Sequence, residues 1–415
     1  MLILIVFTIH LHEVGSESAR KKKKEARVKG KTSSGCKIKL AEDIPVNEPL
    51  YLLEKKGVYS LYSPTGKDNV LKPKEEIILL CPGKQNTIAS SKLNMTKLTC
   101  LDNKKFGINN KQVSFRALNC TKEVNGDLRI TDKTCGDGMG TLMEIGFNFN
   151  KKVFLKIFEV CYNTETASAL YSMHQVHGKV IQHTIPDPER RSFRTSGIPK
   201  GARPLESYKK ETQITRFSEI FGENQQYFNE TSFLMKGQLT PESDFIFSSH
   251  QLASYFFVNV APQFNAINQG NWLQVEKLIR MLAQKHQSDL TIYTGTFDKL
   301  TLASERTGRR TLYLEDNDKI EVPKWFWKII VNETSDAAIV LMTLNNPHAK
   351  LVDAQSFCQN ICSSIGLISH GLKSLKKGYT YCCELNDFKK TVTTVPSTLN
   401  PKNILELSLS NISFG

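Results

Sequence analysis

The chain has 415 residues, of which 40% are hydrophobic and 9% aromatic, and carries a formal net charge of +14 at pH 7. This length suits two or three domains, and the apolar content excludes a chain that is disordered throughout. A positive excess of this size attracts polyanions. Nucleic acid, anionic membrane surfaces and sulfated glycans are therefore the candidate partners, and charge alone does not choose among them.

The N-terminal residues 1–18 have features of a signal peptide. The first nine residues form an apolar run in which Thr8 is the only polar member, and small residues follow at Gly15 and Ser16. A basic segment before the run is missing, and the alternative interpretation is a buried strand. The run is too short to span a membrane, which takes about 20 apolar residues. We expect a secreted protein that has no membrane partner.

The cysteine content supports the same compartment, because an even number of cysteines in a secreted chain indicates disulfides. The ten are Cys36, Cys81, Cys100, Cys120, Cys135, Cys161, Cys358, Cys362, Cys382 and Cys383. The alternative is a zinc site formed by the last four, which adjacent cysteines fit poorly. Sequons for N-glycosylation add modest support for secretion. They begin at Asn94, Asn119, Asn229, Asn332 and Asn411.

Composition divides the rest of the chain into four segments. Residues 19–35 are polar and basic and predict a disordered arm that is either a solubilising tail or an extra phosphate contact. Residues 36–164 show short alternating runs between turn signals, which predicts a small β-rich module stapled by its own disulfides. Residues 165–390 mix buried strands with a few helices and predict an α+β domain. Residues 391–415 are rich in Thr, Ser and Pro and predict a loose tail.

Two segments of the α+β domain have a clear periodicity. The apolar run 253–260 predicts a buried strand stopped by Pro262. Residues 268–286 have helical spacing and predict an amphipathic helix. Its apolar stripe consists of Trp272, Val275, Ile279 and Leu282.

The most informative window contains three ordered motifs. Residues 236–245 read Lys-Gly-Gln-Leu-Thr-Pro-Glu-Ser-Asp-Phe, residues 259–263 read Asn-Val-Ala-Pro-Gln, and residues 267–272 read Ile-Asn-Gln-Gly-Asn-Trp, with Glu276 following. This window resembles the DNA/RNA non-specific endonucleases of the ββα-metal class. Their hallmark is Asp-Arg-Gly-His, then Asn-x-x-Pro-Gln, then Asn-x-Gly-x-Trp leading into a helix with a Glu. The resemblance covers about residues 165–390 and implies a central antiparallel sheet with flanking helices.

The resemblance also implies roles for individual residues. In the family a histidine is the general base, and the Asn that opens the helix holds a single hydrated Mg²⁺. Asn268 would be the metal ligand, although an Asn there also suits a helix N-cap. Glu276 would assist it, since eight helical residues turn by about 80° and both can face one cleft. Arg191 and Asn259 would contact phosphate.

The chain departs from the family motif at the residues that carry catalysis. Gln238 stands at the position of the general-base histidine and has no group that titrates near neutral pH. Lys236 replaces the arginine, keeping its charge without the planar two-point grip on a phosphate. Met235 replaces the motif's Asp. His250 is the nearest histidine that could serve instead, and we interpret it as a lone surface histidine.

The sequence therefore predicts a secreted protein that binds DNA and RNA through their backbones, with weak or absent Mg²⁺-dependent hydrolysis. One alternative is a fully active DNA/RNA non-specific endonuclease whose base lies elsewhere. A second alternative is a binder of heparin-like glycans or other polyanions. Residues 378–383 are similar to secreted insect members of the family, which implies saliva as the location.

Overall fold

This computed structural model describes residues 35–407 with the exception of 102–104, 110, 151, 186–190 and 305–307. The expected signal peptide at 1–18 lies outside the described residues, and so does the expected basic arm except for its last residue, Gly35. Among the helices in the described part of the chain, none is long and apolar enough to cross a membrane.

The first part of the described chain is β-rich, as its alternating apolar pattern predicts. Its elements are β1 (Cys36–Lys39), α1 (Leu40–Asp43), β2 (Leu50–Lys55), β3 (Val58–Leu61), β4 (Asp68–Leu71), β5 (Glu76–Leu80), β6 (Met95–Leu101), β7 (Lys105–Ile108) and β8 (Lys111–Val113). Six of these strands form an antiparallel sheet in the order β3-β2-β5-β6-β7-β8, and β1 pairs with β4. We call the larger of the two the six-stranded sheet.

The rest of the described chain combines a larger sheet with a few helices. Its elements are β9 (Asp127–Cys135), β10 (Gly140–Asn148), β11 (Phe154–Asn163), β12 (Ser168–Val176), α2 (Pro204–Ser207), α3 (Lys210–Phe221), β13 (Leu234–Gln238), α4 (Ser248–Ala253), β14 (Val260–Phe264), α5 (Asn265–Asn268), α6 (Asn271–His286), β15 (Leu290–Lys299), β16 (Thr301–Ser304), β17 (Gly308–Thr311), β18 (Pro323–Asn332), β19 (Ala337–Leu344), β20 (Thr380–Cys383), α7 (Leu385–Lys389) and β21 (Asn403–Ile404). The large sheet has the order β20-β19-β18-β15-β12-β11-β10-β9, with β21 beside β19. The expected α+β class with a central antiparallel sheet is confirmed.

The large sheet runs across residue 164, where the sequence predicts a boundary between two domains. Strand β11 pairs with β12 from Phe158↔His174 to Asn163↔Ser168, so both sides of that residue belong to one sheet. The boundary is therefore corrected. Its error has a simple cause, because an alternating pattern identifies a strand without saying which sheet the strand joins.

The ten cysteines form five disulfides, which rules out the alternative of a zinc site. The pairs are Cys36–Cys100, Cys81–Cys120, Cys135–Cys161, Cys358–Cys383 and Cys362–Cys382. The first three lie within residues 36–164, as expected, although the third joins two strands of the large sheet.

The six-stranded sheet packs against the rest of the fold around one buried carboxylate. Glu48 is buried and accepts hydrogen bonds from Ser248 Oγ at 2.6 Å and from the Ser249 amide at 2.7 Å. These donors belong to the first turn of α4, whose N-terminus favours a negative charge. The ring of Tyr51 lies 5.4 Å from that of Phe247, within a continuous apolar core. The two parts therefore share one interior.

The segment before β14 is not the strand expected at 253–260. Helix α4 ends at Ala253, and β14 begins only at Val260. Pro262 lies inside β14 instead of stopping it. A proline is tolerated there because β13 and β14 form a two-stranded ribbon. The outer edge of each strand makes no backbone hydrogen bond to a further strand, so a missing N–H group costs nothing on that edge.

The segment after residue 390 is packed as far as it is described, so the expected loose tail is corrected. Strand β21 adds to β19 in parallel, with Asn403 opposite Ala337. Residues 408–415 lie outside the described residues. The polar composition concealed four buried apolar side chains: Val392, Val395, Leu405 and Leu407.

Substitution of Leu407 tests this packing. Leu407 is fully buried in the core that also contains Val275, Ile279 and Leu282 of α6. Leu407→Ala should lower the free energy of unfolding by about 2–5 kcal/mol, because it leaves a cavity. Ile404→Ala, at a side chain that is 45% exposed, is the control and should have a much smaller effect. Denaturant unfolding followed by circular dichroism measures both, and equal small effects would mean that the segment is loose.

Candidate active site

The β13–β14 ribbon carries the residues at the expected catalytic positions. Lys236 and Gln238 are two residues apart on β13, so their side chains leave the same face of the ribbon. Gly237 between them faces the other side together with Gln263 of β14. A Cβ atom at Gly237 would lie 2.9 Å from the Cβ atom of Gln263 and 3.0 Å from the Ala261 carbonyl oxygen, so a side chain here would force the ribbon to shift.

Gln238 is half-buried and is held by a neutral hydrogen bond. Its Nε2 atom donates to Ser254 Oγ at 3.0 Å, and Ser254 Oγ in turn donates to the carbonyl oxygen of Gln251 at 2.7 Å. An amide can donate and accept hydrogen bonds but does not accept a proton from water near neutral pH. At the position where the family has its general base, this protein therefore has a well-held amide that does not act as a base.

Asn259 is fully buried, which corrects its expected role as a phosphate contact. Its Nδ2 atom donates to the carbonyl oxygens of Thr240 at 2.9 Å and Ser254 at 3.0 Å. Its Oδ1 atom accepts from the Thr240 amide at 3.0 Å. The side chain joins the turn after β13 to the turn before β14, so it positions Gln238 and has no exposed atom for a ligand.

Lys236 is half-buried among three aromatic rings. Its Nζ atom lies 5.7 Å from the ring centres of Phe193 and Tyr208 and 5.9 Å from that of Phe257. Burial lowers the pKa of the lysine. No acidic side chain in the described ranges forms an ion pair with it. Ring faces attract a cation without neutralising it, so Lys236 remains available to an anion.

Arg191 is not an open phosphate contact, because it already forms an ion pair. Its guanidinium lies 2.6 Å from Glu123 Oε1, with both side chains about one-third exposed. A phosphate would have to displace Glu123.

Arg194, which the sequence analysis missed, lies 3.8 Å from the ring centre of Phe256 and donates to the Leu252 carbonyl at 3.2 Å. Arg194 therefore fastens this segment to the end of α4.

Asn268 does not open the long helix. It is the last residue of the one-turn helix α5, while Gly270 caps α6 and Asn271 begins it. The expected shared helical face with Glu276 and the alternative role as an N-cap are both corrected. The buried stripe of α6 is as expected, because Trp272 and its three partners at helical spacing are all buried.

The amide of Asn268 has an oxygen that is available to a cation. Its Nδ2 atom donates to Gln263 Oε1 at 2.7 Å, and within the described chain no donor bonds its Oδ1 atom. Magnesium prefers oxygen ligands and keeps most of its waters, so one amide oxygen fits such an ion. The described residues contain no group of three or more His, Cys, Asp or Glu side chains that would hold a metal.

A cluster of buried ionisable groups lies behind the ribbon and was largely missed by the sequence analysis. Asp244 accepts from His174 Nε2 at 2.8 Å and from the Arg280 guanidinium at 2.8 Å. Burial alone would raise the pKa of Asp244, but His174, Arg280 and Lys328 together lower it to about 2. The aspartate is therefore ionised, and the Nε2 atom of His174 is occupied by its hydrogen bond to this carboxylate.

Lys328 is the buried cation of this cluster. Its Nζ atom donates to Thr294 Oγ1 at 2.7 Å and to the carbonyl oxygen of Leu239 at 3.3 Å, and lies 5.0 Å from the ring centre of Trp272. Leu239 directly follows Gln238, so this lysine fixes the end of β13. The sequence analysis did not single it out, although a lysine inside the apolar run 325–331 is a signal that could have found it.

Glu276 faces the same cluster from α6, one turn from both Trp272 and Arg280. Burial raises its pKa to about 7, with the positive charge of Lys328 opposing and the negative charge of Asp244 adding to the rise. The carboxyl group is therefore partly protonated at neutral pH. Its role in the site stays a prediction.

His250 is not the lone surface histidine that the sequence analysis favoured. It is half-buried beside aromatic rings, with ring centres 5.5 Å from those of Phe147 and Phe247. Burial among these rings lowers its pKa, so it is neutral at pH 7. His250 is therefore a poor replacement for the missing base.

Comparison with known proteins identifies the class. The family described as DNA/RNA non-specific endonuclease matches residues 138–388, which is more than half of the chain. A "Salivary endonuclease" of Lutzomyia longipalpis is 32% identical over 379 residues, covering 89% of this chain and 87% of the relative. The chain therefore belongs to the DNA/RNA non-specific endonuclease family.

Two further proteins are more distantly similar. "Salivary protein Tsal1" of Glossina morsitans morsitans is 27% identical over 384 residues, covering 91% of this chain and 95% of the relative. A chain from the crystal structure of the EndoG/EndoGI complex is 16% identical, with a TM-score of 0.30, and the match covers 46% of this chain and 72% of that chain. The match spans most of the length of both the Lutzomyia and the Glossina protein.

The pKa of Glu276 predicts a pH-dependent stability difference. Because the folded pKa of about 7 lies above the ordinary value of 4.5, this group lowers stability as pH rises between those values. Glu276→Gln removes the effect, so its unfolding free energy relative to the parent should increase over this pH range. Denaturant unfolding from pH 4 to pH 8 measures it, with the exposed Glu219→Gln as control. A constant difference between Glu276→Gln and the parent would contradict the assignment.

Proposed function

We propose that this protein binds DNA and RNA through their phosphate backbones at the β13–β14 ribbon and α6, and hydrolyses them weakly or not at all. The observation that carries the proposal is Gln238, a neutral amide bonded to Ser254 at the position of the family's general base. Family membership supports a nucleic-acid ligand. The net charge of +14 supports binding by charge, and so does the ammonium group of Lys236, which forms no ion pair with a described acidic side chain.

The loss of hydrolysis follows from the proton that the reaction must remove. Water attacks a phosphodiester efficiently when a positioned group accepts its proton, and such help is worth about 100- to 10,000-fold in rate. Gln238 does not accept this proton. His174 is buried against Asp244, and His250 is neutral among aromatic rings. Binding should survive this change, because it depends on distributed charge instead of one proton acceptor.

A divalent cation fits the remaining site at Asn268. Its free Oδ1 atom would be the protein ligand, and Gln263 fixes the amide that carries it. When bound, a hydrated magnesium ion would neutralise charge that develops on the phosphate. Lys236 would contact the phosphate, and Lys328 and Asn259 would hold the end of β13 in place.

Secretion is part of the same proposal. The matched relatives from Lutzomyia and Glossina are named as salivary proteins, and five disulfides suit an oxidising compartment. The rival function is a fully active endonuclease, and the Lutzomyia relative, which is named a salivary endonuclease, favours it.

Restoring the family residues tests the proposed loss of catalysis. Gln238→His should raise Mg²⁺-dependent DNA cleavage by about 100-fold or more, because it returns a proton acceptor. Adding Lys236→Arg should raise it further by restoring the two-point grip on the phosphate. Gln238→Asn, another neutral amide, is the matched control and should leave the rate unchanged. Cleavage of labelled DNA measures all four proteins.

Asn268→Ala completes this series. In the Gln238→His background it should abolish the gained activity while leaving most DNA binding, because the amide oxygen is the expected metal ligand. A parent protein as active as a normal family member would place the base elsewhere and make Gln238 irrelevant. A folded, DNA-binding double variant that stays inactive would show that the metal site has been lost as well.

A further inference from the structure

A lysine-rich loop, residues 369–378, lies against the turn that carries Asn268; we call it the basic loop. The buried side chain of Asn271 binds both ends of this loop, donating from Nδ2 to the carbonyl oxygens of Gly371 at 2.8 Å and Gly378 at 2.7 Å. The backbone N–H of Asn271 also donates to the carbonyl oxygen of Lys377 at 2.8 Å. One residue at the start of α6 therefore sets the position of the loop.

Two glycines bring the basic loop into direct contact with this turn. A Cβ atom at Gly270 would lie 2.5 Å from the Lys377 carbonyl oxygen, so a side chain there would push the loop away. Gly378 has a φ of +102°, and its Cβ atom would lie 3.1 Å from a methyl group of Ile267. Ile267 and Gly270 flank Asn268 closely in the chain. The loop is therefore adjacent to the expected metal ligand.

The basic loop is also held from its own side. Two disulfides connect the chain before the loop to β20 after it: Cys358–Cys383 and Cys362–Cys382. Leu372 in the middle of the loop is buried in the core beneath α6. A loop fixed in this way loses little further conformational freedom when a ligand binds.

The charges of the basic loop have no partners among the described residues. Lys373, Lys376 and Lys377 are exposed, and none forms an ion pair with a described acidic side chain. Other surface lysines do form such pairs, for example Lys97 with Glu76 at 3.1 Å. Three like charges within five residues repel one another in the unbound protein, and a polyanion would relieve this repulsion.

We propose that the basic loop is a second nucleic-acid contact, in which Lys373, Lys376 and Lys377 bind the phosphates of the strand that lies at Asn268. This inference rests on the proposed function and extends the bound surface beyond the β13–β14 ribbon. Lysine ammonium groups contact phosphates as point charges and read no base sequence. The loop therefore adds affinity and salt dependence without sequence preference.

A charge-matched comparison tests this contact. The loop variant combines Lys373→Gln, Lys376→Gln and Lys377→Gln. The control removes the same charge from three exposed lysines of the six-stranded sheet: Lys55→Gln, Lys105→Gln and Lys111→Gln. Binding of a labelled DNA duplex to the full-length protein is measured in EDTA over a range of salt concentrations, and circular dichroism confirms that both variants are folded.

We expect the loop variant to lose about tenfold or more in affinity near physiological salt, because direct phosphate contacts are gone. The slope of log affinity against log salt should flatten by about 0.9 for each lost contact, hence by about 2.7 for three. The control should retain the parent slope. An equal loss in both variants, or no loss in the loop variant, would overturn the inference.

Two other outcomes separate this inference from the function on which it rests. If the parent binds no DNA, the proposed function fails, and the loop contact fails with it. A parallel titration with heparin gives the second outcome: if the loop variant binds DNA as the parent does and loses only heparin binding, the proposed function stands. The basic loop is then a sulfated-glycan surface, and the inference is wrong.

Discussion

The buried ammonium group of Lys328 is the contact on which the arrangement of the site depends. It joins β18 to Thr294 of β15, to the turn that follows β13 and to the face of Trp272 on α6. An isolated charge in such a place would be too costly to bury. Burial lowers the pKa of Lys328, and the negative charges of Asp244 and of the ionised fraction of Glu276 oppose that effect. Sheet, ribbon and helix therefore meet at one network of opposite charges.

The residues that hold the site in shape are different from the residue at the expected catalytic position. Asn259 and Lys328 hold the end of β13 from behind, and neither depends on the residue at position 238. Gln238 fits there with a simple hydrogen bond to Ser254. Under the proposed function, the scaffold keeps its fold without a general base at this position, and its positive surface stays available for nucleic acid.

The sequence predicted much of this and failed in particular ways. The α+β class, the disulfides and the buried stripe of α6 follow from periodicity, cysteine count and the family motif. The role of Asn259 could not be predicted, because a motif does not show whether the side-chain amide points to solvent or into a turn. The predicted domain boundary at residue 164 was wrong, because alternating apolar residues identify a strand but not the sheet that the strand joins. The contact of Asn271 with Gly378 spans 107 residues, and no local pattern reports it.

The most direct test of the account is a titration of labelled DNA with the parent protein, in Mg²⁺ and in EDTA, that follows binding and cleavage together. The account predicts strong, salt-sensitive binding under both conditions, with little or no cleavage in Mg²⁺. Rapid Mg²⁺-dependent degradation that disappears in EDTA would contradict it and identify an active endonuclease.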